Sequence, residues 1–207
     1  DSLTKTFNAG GNLSVTSEKS YVQLGDLTGQ GGVYVANALS GTNAPGQGTI
    51  GNVTAGVAGS KNGTVTIINN NTNEAAGSSY WGDYNPLTWM STRFLTVNGS
   101  IIANNDGLSA DTKAIDISGQ GALQFKGTNR TIEARGAGSG SVSIAMDKSV
   151  RLAGRVEVGR FLTSQTDDFV SKVSSASGDV RITTTNTKAG IGANDISGNI
   201  TGSSVAT

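Results

Sequence analysis

The 207-residue chain contains no histidine and no cysteine. Ser-His-Asp and Cys-His nucleophilic sites are therefore excluded, as are the usual zinc, copper and haem ligands and any disulfide framework. Proline is down to two residues and charged residues to 14%, so the chain is neither a Pro-rich linker nor of ordinary enzyme composition. Fifteen Lys plus Arg balance fifteen Asp plus Glu, which leaves no electrostatic attraction for nucleic acid or an anionic membrane. No apolar run approaches the about 18 residues of a spanning helix, so membrane insertion is not expected. No basic-then-apolar signal segment opens the chain, and its start at Asp1 rather than Met reads as processing or excision from something longer. Absence of cystine favours a bacterial surface or secreted protein over a small eukaryotic secreted domain.

What the chain does have is Gly, Asn, Ser and Thr, with Val, Ile and Thr recurring in alternation. That alternation points to ordered β structure rather than disorder. The pattern apolar-x-apolar-x-Gly occurs at Leu95–Gly99, Ile115–Gly119, Ile132–Gly136 and Val150–Gly154, with starts 20, 17 and 18 residues apart. In an extended strand the two apolar residues share one face, which places Ile115, Ile132 and Val150 inward and Asp116, Glu133 and Arg151 outward. The Gly then sits at a corner, where a Cβ would crowd the next coil. Short strands follow at Leu123–Phe125, Val142–Ile144 and Val156–Val158. The expected fold is all-β, a parallel β-helix (β-solenoid) of short coils, with Ile115, Ile132 and Val150 stacked in one ladder. An antiparallel β-sandwich or jelly roll is the alternative.

Three regions follow from spacing. Residues 1–71 are an irregular Gly/Asn-rich β region with strands at Leu13–Val15, Val22–Leu24, Val33–Val35 and Val65–Ile67. Residues 72–93 are an aromatic insertion holding both tryptophans, and 94–207 carry the regular coils, the whole forming one continuous elongated domain. Asp167–Val173 is the single candidate for a turn of helix.

The remaining chemistry is carboxylates, Lys, Tyr and Ser. Asp167-Asp168 is an acid pair, but adjacent strand residues face opposite ways, so solvated loop acids are the expected reading and no enzyme activity is expected. Gly46-Gln47-Gly48-Thr49-Ile50-Gly51 fits the dinucleotide fingerprint, which needs a following helix. Here a β-like segment follows, and 30 glycines make a chance match expected. No cofactor is assigned; calcium at Asn104-Asn105-Asp106-Gly107 with Asp111 is weighed against a plain Asn/Asp/Gly turn, the favoured reading. Tyr80, Trp81, Tyr84 and Trp89 are candidate partner-binding residues for a protein or glycan surface, set against the favoured reading that Trp81, Trp89 and Phe94 fold back to cover an end or flank of the solenoid. N-x-S/T triplets at Asn12, Asn52, Asn62, Asn70, Asn98, Asn129 and Asn199 are expected from composition and do not indicate glycosylation.

Gly11–Ser17, Gly51–Gly56, Leu95–Ile101 and Gly178–Thr183 resemble the repeats of filamentous-haemagglutinin-type bacterial exoproteins and adhesins. The resemblance covers most of the chain and departs from the family in the first seventy residues and the aromatic insertion. It implies a right-handed β-helix on a bacterial cell surface, used for adhesion or as a spacer, without catalytic residues. A second reading is a self-assembling subunit of a pilus, matrix filament or S-layer. Leu3, Phe7, Leu13 and Val15 would then belong to a donated strand, because Leu3–Val15 shows no repeat partner in the sequence.

Overall fold

The computed structural model of the chain describes residues 5–39, 48–71, 94–125, 129–146, 150–151, 170–184, 199–201 and 205–206. Among these residues there is no helix, and the paired strands all run parallel. Sheet I holds seven strands: β1 (Phe7–Ala9), β3 (Leu27–Gly29), β6 (Val53–Ala55), β9 (Ile101–Asn104), β12 (Arg130–Arg135), β15 (Val170–Ser175) and β17 (Asn199–Thr201). Sheet II also holds seven: β2 (Leu13–Thr16), β4 (Val33–Asn37), β7 (Val65–Asn69), β10 (Leu108–Gly119), β13 (Ser139–Met146), β16 (Val180–Thr184) and β18 (Val205–Ala206). Sheet III is smaller, with β5 (Thr49–Ile50), β8 (Phe94–Val97), β11 (Ala122–Phe125) and β14 (Val150–Arg151). Parallel neighbours cannot be joined by hairpins, so each strand pairs only after the chain has visited another sheet. The result is consistent with a β-solenoid and differs from the antiparallel sandwich.

Period-two alternation sets the core. In sheet II one inward row runs Val33, Val65, Ile115, Val142, Val180 and its companion runs Val35, Ile67, Ile117, Ile144, Ile182, every one at most 2% exposed. Sheet I contributes Leu27, Val53, Ile101, Ile132 and Val173. β-Branched side chains have one dominant rotamer and stack well on identical neighbours, and burying each contributes about 1.5–3 kcal/mol. The second inward row of sheet I is instead small: Gly29, Ala55, Ala103, Ala134 and Ser175. At Gly29 a Cβ would lie 2.9 Å from Gly32 O and 3.1 Å from a Val33 methyl carbon, so sheet II itself fills that space.

The expected ladder of Ile115, Ile132 and Val150 does not form. Ile132 pairs with Ile101 and Val173 in sheet I, Ile115 with Val65 and Val142 in sheet II, and Val150 with Leu123 in sheet III. The 17-to-20-residue interval carries the chain past one sheet into the one after it, whereas Leu95 to Leu123, Ile101 to Ile132 and Ile115 to Val142 show that one level takes roughly thirty residues. The inward assignments of Ile115 and Ile132 hold, both being fully buried. Glu133 holds the outward position but is only 9% exposed, and Arg135 Nε donates to its Oε2 at 2.8 Å. Corner crowding holds as well: Gly119 and Gly136 have φ of 140° and 114°, and a Cβ on Gly99 would lie 2.4 Å from Asn52 N.

The N-terminal segment has partners after all. Phe7 pairs with Leu27 and Leu13 with Val33, so β1 and β2 belong to the same rows as the later strands. Of the expected early strands, Leu13–Val15, Val33–Val35 and Val65–Ile67 lie in β2, β4 and β7, whereas Val22–Leu24 contributes only an isolated bridge from Gln23 to Thr49. Val170–Val173, expected as the end of a helical turn, lies in β15. Leu3, Val156–Val158 and Asp167-Asp168 lie outside the described residues.

Candidate functional site at the corner of sheets I and II

At the corner leading from sheet I to sheet II the connecting chain changes in length from level to level. Phe7 to Leu13 and Leu27 to Val33 are close in sequence, but Val53 to Val65 and Ile101 to Ile115 enclose longer segments. The extra residues form the β6–β7 loop, 56–64, and the extended start of β10, where the pairing register with β13 shifts between Leu108, Lys113 and Ile115. Val57, Lys61, Asn62, Asp106, Asp111, Lys113 and Arg135 are exposed there, giving mixed charge rather than a patch of one sign.

Each level at this corner is tied to the next. Asp106 N–H donates to Ser60 O at 2.7 Å, and Asp106 Oδ1 accepts Ala137 N–H at 2.8 Å. Asn104 Nδ2 donates to Gly56 O at 3.1 Å, and Asn105 N–H to Arg135 O at 2.8 Å. Beyond it, Ser139 and Ser177 exchange backbone N–H to hydroxyl bonds of 2.9 Å in both directions, and Ser175 Oγ accepts Gly178 N–H at 2.9 Å. These hydroxyls are bonded to backbone groups and to one another and act as cross-links between levels.

The calcium candidate falls inside this corner. Asn105 Oδ1 accepts Gly107 N–H at 2.9 Å and Asp106 Oδ1 is taken by Ala137, while Asp111 is exposed and sits between Ser109 and Thr112, whose hydroxyls bond to each other at 2.8 Å. Among the described residues no three acidic side chains come together as metal ligands. The geometry is that of an Asn/Asp turn whose oxygens hold backbone N–H groups. Among the described residues Asn105 Nδ2 has no hydrogen-bond partner, on a residue 1% exposed.

A second set of polar residues, unnoticed in the sequence, lies where sheet II turns toward sheet III. Val22 N–H donates to Asn37 Oδ1 at 2.8 Å, Asn37 Nδ2 to Asn69 Oδ1 at 2.7 Å, and Asn71 N–H to the same oxygen at 3.3 Å. Asn37 and Asn69 are 1% and 0% exposed, so this is a buried amide ladder running across levels. The signal available was that each Asn stands two residues after an inward residue, Val35 or Ile67. Exposed corners use the same device: Asn12 Oδ1 accepts Gly32 N–H at 2.8 Å, Asn52 Oδ1 accepts Ser100 N–H at 2.9 Å, and Asn70 Nδ2 donates to Leu39 O at 2.9 Å. Three of the seven N-x-S/T asparagines thus fasten neighbouring levels.

Thr49-Ile50 of the glycine fingerprint is strand β5, and Val53–Ala55 after it is strand β6, so no helix N-terminus faces a phosphate. Gly46 and Gln47 lie outside the described residues, as do Tyr80, Trp81, Tyr84 and Trp89. Among the described residues no helix is long and apolar enough to cross a membrane. No protein-family model, no curated protein and no solved structure matches the chain.

Proposed function

We propose that this chain is a segment of a non-enzymatic, extracellular structural or adhesive protein of a bacterial surface, a closed β-solenoid that serves as a rod-like spacer and presents its corner loops to a protein or glycan partner. The observation that carries this reading is the unbroken stacking of seven parallel strands in each of two sheets, with connections between strands that vary in length from level to level. Six steps of about 4.8 Å carry each stack roughly 29 Å, a length that grows only by adding levels. The repeated order of visits, sheet III then I then II from β5 to β13, supports closure around one core. A right-handed path is the strongly preferred hand for parallel crossovers, in keeping with the filamentous-haemagglutinin-type resemblance.

Electron microscopy of the purified chain tests the reading. Discrete short rods are expected; ordered filaments or lattices would move the assignment to a self-assembling subunit. Incubation with pectin, alginate, hyaluronan and peptidoglycan is expected to give no turnover. Cleavage that disappears in Asp167→Asn or Asp168→Asn would replace the proposal with a polysaccharide-acting enzyme.

A further inference from the structure

We infer that Asn62 is a site of spontaneous backbone modification, its carboxamide cyclising onto the amide nitrogen of Gly63, while the fold holds the chemically equivalent Asn98-Gly99 step unreactive. Three steps in the chain place Gly after Asn or Asp: Asn62-Gly63, Asn98-Gly99 and Asp106-Gly107. Glycine leaves its own nitrogen unshielded and its backbone free to rotate, so sequence alone makes the two Asn-Gly steps alike.

The structure separates them. Asn62 is exposed in the β6–β7 loop; among the described residues neither its carboxamide nor the Gly63 N–H has a hydrogen-bond partner, and its own N–H makes only a 3.3 Å bond to Ser60 Oγ. Asn98 is exposed too, but it sits in a short corner fixed on both sides. Asn98 N–H donates to Ile50 O at 2.8 Å, Ser100 N–H to Asn52 Oδ1 at 2.9 Å, and Ser100 O accepts Val53 N–H at 2.8 Å. Cyclisation needs the following nitrogen to swing back toward the side-chain carbon, which at Asn98 breaks these bonds. At Asp106 both reacting groups are engaged, since Gly107 N–H donates to Asn105 Oδ1 and Asp106 Oδ1 accepts Ala137 N–H.

In the reaction the Gly63 nitrogen attacks Asn62 Cγ, a C–N bond forms, the Cγ–Nδ2 bond breaks, and ammonia leaves carrying the proton lost from Gly63. Water then opens the cyclic imide at either carbonyl, giving aspartate or isoaspartate. The chain, formally neutral, gains one negative charge beside Lys61. Isoaspartate also adds one carbon to the main chain. Gly63 cannot move inward, since even a Cβ would lie 2.1 Å from Asn104 O, so the added carbon reshapes the solvent side of the loop while β7 keeps its register.

The test is timed incubation of the whole chain in mildly alkaline buffer, followed by peptide mass mapping and isoaspartyl methyltransferase labelling. Because freeing Asn98 costs at least one net hydrogen bond, the 62–63 step is expected to convert about tenfold faster or more in the native protein. In urea the two Asn-Gly steps are expected to convert at matching rates. Equal native rates, no conversion at Asn62, or an undiminished difference in urea would each overturn the inference. Asn62→Gln is expected to abolish the leading acidic variant on ion exchange without moving the urea midpoint; persistence of that variant would also overturn it.

Discussion

Replacing Asn37 by alanine tests whether the buried amide ladder holds the levels together. Asn37 Oδ1 is the acceptor for Val22 N–H and its Nδ2 is a donor to Asn69 Oδ1, in a residue only 1% exposed. Space around it is tight, since a Cβ on Gly48 would lie 2.9 Å from both Asn37 amide atoms. Truncation therefore leaves the Val22 N–H buried without an acceptor, at about 1–3 kcal/mol, and removes a second hydrogen bond with a net value of about 0.5–1.5 kcal/mol. The expected loss is about 2–4 kcal/mol. Urea unfolding should show a lower midpoint with an unchanged slope, and native hydrogen exchange should show Val22 losing protection. In a cycle with Asn69→Ala, the double variant should lose less than the sum of the singles by about 0.5 kcal/mol or more, because the second substitution removes a bond already gone. The exposed Ser14→Ala on the same sheet is the control, expected within about 0.5 kcal/mol of the parent. If Asn37→Ala matches Ser14→Ala, or the cycle is additive, the ladder does not bear on stability.

Three further outcomes follow from the register and the corners. Ile132→Asp should cost several kcal/mol by placing a carboxylate between Ile101 and Val173, whereas Asp116→Ser, removing an exposed 3.0 Å ion pair with Lys113, should cost under about 1 kcal/mol. Equal melting-temperature losses would reject the register. Glu133→Lys is not a neutral control, because it places a cation beside Arg135 at a position 9% exposed; it should melt clearly below the Asp116 variant. Gly136→Ala combines a φ of 114° with a Cβ 2.2 Å from Asn105 O and should destabilise by more than about 2 kcal/mol, while Gly10→Ala, with nothing within 4 Å, should stay within about 0.5 kcal/mol. Matching urea midpoints for the two glycine variants would show that the corner accommodates a side chain.

Sequence by itself determined the all-β class and which side chains face inward, because alternation is a property of the strand and needs no partner. Ile115, Ile117 and Ile132 were assigned inward from spacing alone and are all buried. It also located the crowded corners at Gly99, Gly119 and Gly136, since only glycine tolerates the missing space at all three and the positive φ of Gly119 and Gly136. What sequence could not determine was which strand lies on which. The true repeat in sheet II reads Val33-x-Val35-x-Asn37, Val65-x-Ile67-x-Asn69, Ile115-x-Ile117-x-Gly119, Val142-x-Ile144-x-Met146, with a fifth residue that changes at nearly every level. Demanding Gly at that place gathered strands from three sheets into one false ladder. The corner loops differ in length from level to level, so the period wanders and only three-dimensional pairing recovers it. The same holds for the asparagines: a chain rich in Asn gives no local sign of which amides will be buried against each other. Asn37 and Asn69 are far apart in sequence, and they meet only because parallel stacking sets residue upon residue in register.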